Sequence, residues 1–333
     1  MDIIIYPPTI DWSFMKQRPQ QLMQQFGEQR YLVFYCNRTQ QELATEEISP
    51  NLFLVHYHDQ WLKEELPVLR KKYNVRVGVW CSWSSLADTI SQYEADWVVY
   101  DCVDEFAEWL KFEKEMINIA DAVVCTAQRI CTRLKRVYPE KRVELIRNAY
   151  DSNMELHFRS ASSNHEKKVI GYIGAWAPWV DEGLVARLAG SLRDVEIVIV
   201  GIEFGRKFTL NRFPNVTYLG HLPHAELASQ MDRFSVCIIP FRITPVTLAT
   251  NPVKMYEYLA TGKPVVSTPL PECLLQQDLI DIGITHSEFI HKVRTRLADP
   301  GSSQERIDFS LNNTWEHRVK QAITLIDSLS KKQ

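Results

Sequence analysis

The residues with the clearest chemical potential lie between positions 250 and 257, where the chain reads TNPVKMYE. Lys254 and Glu257 are three residues apart, which places a cation and a carboxylate on one flank of a helix. Pro252 suits the first turn of that helix, because proline has no N–H group to leave unsatisfied there. A helix start attracts anions through its free N–H groups and its dipole. The pattern predicts a site where Lys254 neutralises phosphate and Glu257 binds sugar hydroxyls, although a surface helix with an ion pair gives the same local pattern.

A second group of chemically capable residues lies in unrelated parts of the first half of the chain. Asp101 and Asp104 follow an apolar run in YDCVDEF, where a carboxylate can orient or deprotonate an acceptor hydroxyl. Asp104 equally suits the cap of the next helix, so we expect one of the two to act in chemistry and the other in capping. Arg18 should begin a helix and face phosphate, acceptor or solvent. His56 and His58 follow another strand and could hydrogen-bond a sugar.

Alternating strands and helices must position these residues. In the first half, apolar runs predict strands at 2–6, 31–36, 52–57, 77–81, 97–102, 122–126 and 143–147, and amphipathic patterns predict helices at 18–28, 106–120 and 128–138. After a polar stretch at 160–168 the alternation restarts, with strands at 169–174, 196–201, 216–220 and 236–241 and helices at 180–192, 224–234 and 312–332. The alternation predicts the α/β class, with two doubly wound Rossmann-like domains and ligand in the cleft between them.

The stretch YLATGKPVVST at 258–268, together with Glu257, resembles the nucleotide-sugar signature of GT-B glycosyltransferases, in particular the large retaining family 4. The resemblance implies that Glu257 binds the ribose hydroxyls of the donor. The chain departs from the signature where Ala249 replaces its first Glu and Thr250-Asn251-Pro252 replaces its glycine-rich turn. The contact of that Glu with the donor sugar is therefore absent or made by another residue. The loop at 7–22 resembles that of teichuronic-acid-type polysaccharide glycosyltransferases.

The resemblance also covers the rest of the second domain, at 170–185 and 215–241. It implies that the main chain at Gly220, His221 and Leu222 packs against the nucleotide base. Trp176 and Trp179 would wall the donor pocket beside the loop that starts at Gly174, or they would close the domain interface instead. Family members neutralise the departing diphosphate with cations and helix starts rather than with a metal. The candidates for this role here are Lys254, the amides of Thr250 and Asn251, Arg206 or Lys207, and Arg18.

The function implied is transfer of a sugar from a nucleoside-diphosphate donor, UDP-linked, to a glycan or lipid-linked acceptor in bacterial surface polysaccharide synthesis. The reaction would be retaining and would need no metal or other cofactor. Residues 1–160 would then form the acceptor-side domain, 161–311 would bind the nucleotide sugar, and 312–333 would pack back on the first domain. Asn148 and Asp151 match the family element that precedes the interdomain linker. The alternatives are a GT-B-shaped nucleotide-sugar epimerase and a catalytically silent binding or scaffold subunit.

Composition narrows the possible partners and location. The net charge of −3 over 333 residues predicts no attraction to nucleic acid. Seven scattered cysteines without a C-x-x-C pair argue against disulfides and a zinc site, and with no apolar span they favour the cytoplasm. The helix at 128–138 carries Arg129, Arg133 and Arg136 opposite Ile130, Leu134 and Val137, which should pack on the sheet. Its basic face is either solvated or makes peripheral contact with an anionic membrane.

Overall fold

The computed structural model describes residues 2–159 and 167–329, which divide into two units. Unit 1 contains residues up to Asn148 together with the helix that begins at Trp315, and unit 2 runs from Ala149 to Thr314. The division follows Asn148 rather than residue 160, and most of the polar stretch at 160–168 lies outside the described residues. Each unit contains one sheet with helices, so the predicted class, α/β with two Rossmann-like parallel sheets, is confirmed.

Unit 1 contains an eight-stranded sheet in the order β3-β4-β2-β1-β5-β6-β7-β8. Its strands are β1 Ile3–Tyr6, β2 Leu32–Cys36, β3 Glu46–Ser49, β4 Leu52–Val55, β5 Val77–Cys81, β6 Trp97–Cys102, β7 Ala122–Cys125 and β8 Arg142–Leu145. All neighbours are parallel except β3, a mostly exposed edge strand that runs antiparallel to β4 and was not predicted. The continuous apolar sequence of the inner strands fits a sheet that is covered on both faces.

Unit 2 contains a six-stranded parallel sheet in the order β11-β10-β9-β12-β13-β14. Its strands are β9 Val169–Ile173, β10 Glu196–Val200, β11 Val216–Tyr218, β12 Val236–Ile239, β13 Val265–Ser267 and β14 Ile280–Ile282. The central strands are fully buried, and they form the core of the unit with the apolar faces of the flanking helices.

The helices follow the predicted alternation. They are α1 Arg18–Glu28, α2 His58–Tyr73, α3 Ala107–Ile119, α4 Gln128–Val137, α5 Glu182–Ser191, α6 His224–Arg233, α7 Pro245–Leu248, α8 Val253–Ala260, α9 Pro271–Leu274, α10 His286–Ala298, α11 Gln304–Leu311 and α12 Trp315–Leu329. A 3-10 helix spans Ser84–Tyr93. Helix α12 packs against α1 within unit 1. In the described part of the chain, no helix combines the length and apolar character that crossing a membrane requires.

Two details of the predicted helix ends need comment. Pro252 is the N-cap of α8 rather than a residue of its first turn, because its extended backbone (ψ 120°) precedes the first helical residue, Val253. Gly262 ends the same helix in the left-handed conformation (φ +70°), as predicted from its place after the last apolar residue. A Cβ there would also lie 3.0 Å from the Cβ of Ser303.

The basic helix α4 differs from the sequence prediction in two ways. Val137 does not pack on the sheet, because half of its surface is exposed at the end of the helix (50%). Arg133 is not part of a free basic face, because it donates to Glu105 and, in bidentate fashion, to Glu113 at 2.7 and 2.6 Å. Arg129, Lys135 and Arg136 remain exposed. The basic surface of α4 is therefore smaller than its sequence indicates.

Candidate functional site

Three neighbouring strands of unit 2 end in a glycine with a positive φ angle. Gly174 follows β9 (φ +145°), Gly201 follows β10 (φ +149°) and Gly220 lies beyond β11 (φ +69°). The N–H of Gly201 donates to the carbonyl of Gly220 at 2.7 Å, and a Cβ on Gly201 would lie 2.0 Å from the carbonyl oxygen of Gly174. The three loops therefore approach one another through bare main chain at the carboxyl edge of the sheet, which is where parallel α/β sheets bind ligands.

Lys254 lies beside the first of these glycines. A Cβ on Gly174 would be 2.9 Å from Cε of Lys254 and 3.0 Å from its Nζ, so no larger residue fits there without moving the lysine. The ammonium group also lies 4.7 Å from the ring centroid of Phe241 and 5.4 Å from that of Tyr172. The structure thus brings together Gly174 and Lys254, two predicted site residues that are distant in the sequence.

The surroundings of Lys254 change its protonation equilibrium. Burial against the aromatic rings lowers the pKa of its ammonium group to about 8, because the charged form loses water. The carboxylate of Glu257 acts in the opposite direction. Glu257 is partly exposed one turn further along α8, so both charged groups lie on the flank that the sequence predicted.

Buried hydrogen bonds fix the position of α8 relative to the sheet. The hydroxyl of Tyr258 accepts from the N–H of Ile173 at 2.6 Å, one residue before Gly174. Ser310 on α11 donates to the carbonyl of Tyr256 at 2.8 Å. Helix α8 is therefore held against the end of β9 and against α11 by contacts that do not use the side chains of Lys254 or Glu257.

The polar side chains of the turn before α8 form hydrogen bonds within unit 2. Thr250 Oγ1 donates to the carbonyl of Val246 at 3.0 Å, and the buried Asn251 donates through Nδ2 to Glu272 at 3.1 Å and to the Tyr256 hydroxyl at 3.3 Å. Ala249, at the position of the missing first Glu, is fully buried. The N–H of Thr250 also donates to the carbonyl of Thr247 at 3.3 Å, so the turn itself uses the Thr250 amide that the sequence analysis assigned to a diphosphate. The contact of the Asn251 amide with a diphosphate stays a prediction.

Other predicted residues of unit 2 lie in different environments. Trp176 is fully buried and meets the ring of Phe208 edge to face at 4.9 Å, so it is a core residue and not a pocket wall. Trp179 is partly exposed, with its ring 5.9 Å from that of Phe204. Their difference in burial follows from position, because Trp176 enters the core directly after β9 whereas Trp179 lies in the loop before α5.

The basic residues of the loop after β10 pair with neighbouring carboxylates. Arg206 Nε lies 3.2 Å from Glu182, and Lys207 Nζ lies 2.7 Å from Glu203. These pairs neutralise the charges that the sequence analysis assigned to a diphosphate. Beyond β11, His221 and Leu219 are exposed, and Leu222 packs partly against the core.

In unit 1, Arg18 and Asp101 form a buried ion pair. Arg18 is the first residue of α1, and its Nε donates to Asp101 Oδ2 at 2.8 Å. Its Nη1 donates to Asn148 at 3.2 Å, while Trp80 donates to Asp101 at 3.0 Å. Arg18 and Asp101 are 2% and 0% exposed, so neither has surface for a phosphate or an acceptor hydroxyl. The solvent-facing alternative for Arg18 is wrong, and burial favours a structural role for both residues.

Of the two roles predicted for Asp104, the structure excludes capping of α3, and the role at an acceptor hydroxyl stays a prediction. Asp104 is not the cap of α3, because the helix begins at Ala107 with Phe106 in the N-cap position. Asp104 lies in the partly exposed loop before it.

Both predicted histidines are engaged in hydrogen bonds within unit 1. The two ring nitrogens of His56 contact Asn37 and Glu46 at 3.2 and 3.0 Å, and the buried His58 contacts the hydroxyl of Tyr93 at 2.9 Å. Among the described residues, no three His, Cys, Asp or Glu side chains form a group that could hold a metal.

Sequence reasoning missed three residues of the unit 2 site. Gly201, Phe241 and Tyr172 were seen only as parts of predicted strands. A usable signal existed for Gly201, since it follows the apolar run EIVIV directly, as Gly174 follows VIGYI. No pattern in the sequence indicates that the rings of Phe241 and Tyr172 meet one ammonium group.

Comparison with known proteins agrees with this arrangement. Residues 167–299, which contain the glycine loops and α8, match the family model described as Glycosyl transferases group 1. The chain is 26% identical over 226 residues to the teichuronic acid biosynthesis glycosyltransferase TuaH of Bacillus subtilis. The match covers 59% of this chain and 56% of TuaH, so the chain spans about half the length of that relative.

Solved structures share the fold over the whole chain. Sucrose-phosphate synthase from Thermosynechococcus elongatus has a TM-score of 0.77 at 14% identity and covers 100% of both chains. Anabaena HepE, solved in complex with UDP and glucose, has a TM-score of 0.66 at 13% identity and covers 99% of both. A trehalose 6-phosphate synthase from Burkholderia multivorans has a TM-score of 0.68 at 10% identity, with 98% coverage of both. The resemblance to GT-B glycosyltransferases and the GT-B fold are confirmed.

Proposed function

We propose that the chain is a glycosyltransferase that takes a sugar from a UDP-linked donor bound on unit 2 and transfers it to a glycan or lipid-linked acceptor. The observation that carries the proposal is the position of Lys254 against Gly174 at the carboxyl edge of the sheet, with Glu257 one turn further along α8. A cation, a helix start and a carboxylate in this order suit a diphosphate followed by a ribose.

The chemistry assigns a role to each of these groups. When the sugar leaves the donor, negative charge grows on the diphosphate, and Lys254 with the N–H groups at the start of α8 stabilises that charge. Glu257 accepts hydrogen bonds from the ribose hydroxyls, and the main chain at Gly220, His221 and Leu222 packs against the base. Because Lys254 and the helix start supply positive charge, the proposed reaction needs no metal. Retention of configuration is part of the proposal through the family resemblance.

Two comparisons support the finer parts of the proposal. HepE was solved with UDP and glucose on the same fold, which supports a uridine-linked donor. TuaH is named for teichuronic acid biosynthesis, which supports an acceptor that belongs to a surface polysaccharide or its lipid-linked precursor. The last part of the proposal is the location: the protein is cytoplasmic and reaches such an acceptor at the membrane surface.

Replacing Glu257 tests the nucleotide site. Glu257→Ala should weaken UDP binding at least about tenfold, since a hydrogen bond to a charged group contributes roughly 1.5–3 kcal/mol. Titration calorimetry with UDP measures the loss, and circular dichroism checks the fold. Glu226→Ala on the exposed face of α6 is the matched control and should bind like the unchanged protein. Equal UDP affinity in the Glu257 variant would remove the central claim.

Two further measurements test whether Lys254 acts through its charge and whether the reaction needs a metal. Lys254→Ala should reduce binding of UDP and leave binding of uridine nearly unchanged, because only UDP carries the charge that Lys254 neutralises. Equal losses for both ligands would make Lys254 structural. Activity should survive an excess of EDTA, and its loss would overturn the metal-free reaction.

A catalytically silent subunit is the second candidate, and specific observations favour it. Ala249 replaces the first Glu of the signature and is fully buried, while Arg206 and Lys207 pair with carboxylates of their own unit. Such a subunit would bind UDP-sugar without releasing UDP. Measuring UDP release with and without acceptor distinguishes the two, since an enzyme releases UDP in at least one of these conditions.

A further inference from the structure

Unit 1 carries a row of four planar side chains in contact with one another that the proposed donor site does not use. The Arg38 guanidinium carbon lies 5.1 Å from the ring centroid of Trp83, and Trp83 lies 5.9 Å from Trp109 at an interplanar angle of 36°. Trp109 in turn meets Phe106 edge to face at 4.9 Å. Arg38 is exposed and the three aromatic residues are partly exposed. We call Arg38, Trp83, Phe106 and Trp109 the aromatic ladder.

The aromatic ladder crosses the carboxyl edge of the sheet at its centre. Arg38 follows β2, Trp83 follows β5, and Phe106 follows β6, while β1 lies between β2 and β5. Strands β2, β4 and β3 lie on one side of β1, and strands β5 to β8 lie on its other side, so the order of the strands reverses between β1 and β5. This is the switch point of the strand order, and ligands of open α/β sheets bind in the crevice at such a point.

Hydrogen bonds hold the aromatic ladder in place without a ligand. Asp11 accepts from the N–H and the hydroxyl of Thr39 at 2.8 and 2.7 Å, next to Arg38. The N–H of Trp12 donates to Asn37 at 2.8 Å on the other side of Arg38. The buried Ser84 donates to the carbonyl of Trp109 at 2.7 Å. These bonds fix the main chain on both sides of Arg38 and at Trp109, which lowers the entropic cost of binding.

The chemistry of the aromatic ladder suits a sugar ring. A pyranose has an apolar face of C–H groups that packs on an aromatic ring, and its rim of hydroxyls needs hydrogen-bond partners. Arg38 offers several N–H donors in one plane at the end of the stack. An acyl chain would gain nothing from an exposed guanidinium at that point, which argues against a lipid tail.

We propose that the aromatic ladder is the acceptor subsite, where Trp83 and Trp109 stack on pyranose rings of a glycan and Arg38 donates to a ring substituent. This inference rests on the proposed glycosyltransferase function and names the part of the acceptor that the protein recognises, which is its sugar portion. The site lies wholly within unit 1, and the proposed nucleotide site lies within unit 2.

The test uses the full chain and defined tetrasaccharides: neutral, N-acetylated and uronate-containing. Saturation-transfer NMR should show at least one of them bound through its ring C–H protons. Trp83→Ala should weaken that binding about two- to tenfold, the range that one aromatic contact of roughly 0.5–1.5 kcal/mol implies. Trp83→Phe should restore most of it, because a flat ring returns. UDP affinity should not change in either variant.

Tyr73→Ala is the matched control, because Tyr73 is 38% exposed and carries its own cation–π contact with Lys72 at 4.9 Å. It lies at the end of α2, which leads to the opposite edge of the sheet, so its replacement should leave sugar binding unchanged. The proposal is overturned if none of the tetrasaccharides binds, or if Trp83→Ala binds them as the unchanged protein does. If the protein bound a tetrasaccharide but not UDP, the proposed donor function would be wrong, whereas the sugar subsite would still be supported.

Discussion

Lys254 is the residue whose protonation state should control nucleotide binding. Its ammonium group faces Glu257 on its own helix, Tyr172 on β9 and Cys273 on α9. Burial raises the pKa of Cys273 to about 12 and that of Tyr172 still further, so neither should titrate before Lys254. Lys254, with its pKa lowered to about 8, is thus the group of this cluster that changes charge in mildly basic solution.

We predict that the affinity for UDP falls as the pH rises above about 8. The diphosphate favours protonated Lys254, so binding requires proton uptake wherever the free lysine is neutral, and the loss can reach about tenfold per pH unit. Titration calorimetry from about pH 7 to about pH 9.5, in buffers of different ionisation enthalpy, measures both the affinity and the protons taken up.

Lys254→Arg provides the control for this pH dependence. A guanidinium stays charged throughout that range, so the variant should bind UDP with an affinity that hardly changes with pH. In the ligand-free protein, the free energy of unfolding changes with pH in the opposite direction to the UDP affinity. Because the folded pKa of Lys254 lies below the ordinary 10.5, the protein gains stability as the pH rises from about 8 towards 10.5. UDP binding without proton uptake at pH 8.5 would contradict the assignment.

At the scale of single elements, the end of β9 decides where α8 can place its lysine. Gly174 combines a φ angle of +145° with contact to the Lys254 side chain, so Gly174→Ala adds backbone strain and displaces the lysine. We predict a loss of stability of about 1–3 kcal/mol and a loss of UDP affinity of at least tenfold. Thermal unfolding and UDP titration measure the two effects.

Gly190→Ala is the matched control in the same unit. Gly190 lies in α5, where an added Cβ would meet no atom within 4 Å. Alanine should stabilise this helix by up to about 1 kcal/mol and leave UDP binding unchanged. If Gly174→Ala behaved like Gly190→Ala, the close approach of β9 and Lys254 would have no functional consequence.

At the scale of the whole molecule, the proposed acceptor links the protein to a membrane surface, and helix α4 is the candidate contact. Because Arg133 is held by two glutamates, the informative variant replaces the exposed Arg129, Lys135 and Arg136 with Glu. We predict salt-sensitive binding to vesicles that contain anionic lipid, with each cation worth up to about 1 kcal/mol, and its loss in this variant. Co-sedimentation at low and high salt measures it.

The matched control makes the same charge change on another helix. Lys63, Lys71 and Lys72 are exposed on α2, and their replacement by Glu should leave vesicle binding largely intact if α4 is the contact. Equal losses in both variants would show a general charge effect. Absence of vesicle binding at low salt would remove the membrane contact and leave the proposed transferase unaffected.

The sequence by itself determined the architecture and the donor-site helix. Long apolar runs separated by amphipathic stretches allow only a parallel sheet with helices on both faces, so the two sheets followed from local pattern. The flank of Lys254 and Glu257 and the cap at Gly262 follow from helix periodicity and from the freedom of glycine at positive φ. These features depend on neighbours in the chain, which a sequence displays.

Only the tertiary structure decided which polar residues are available for chemistry. Arg18 and Asp101 lie 83 positions apart and neutralise each other in the core, and Trp176 turns inward where Trp179 does not. The aromatic ladder joins side chains that follow three different strands, and no spacing in the sequence indicates that they meet. Burial and pairing depend on contacts between segments distant in the chain, and a single sequence does not contain those contacts.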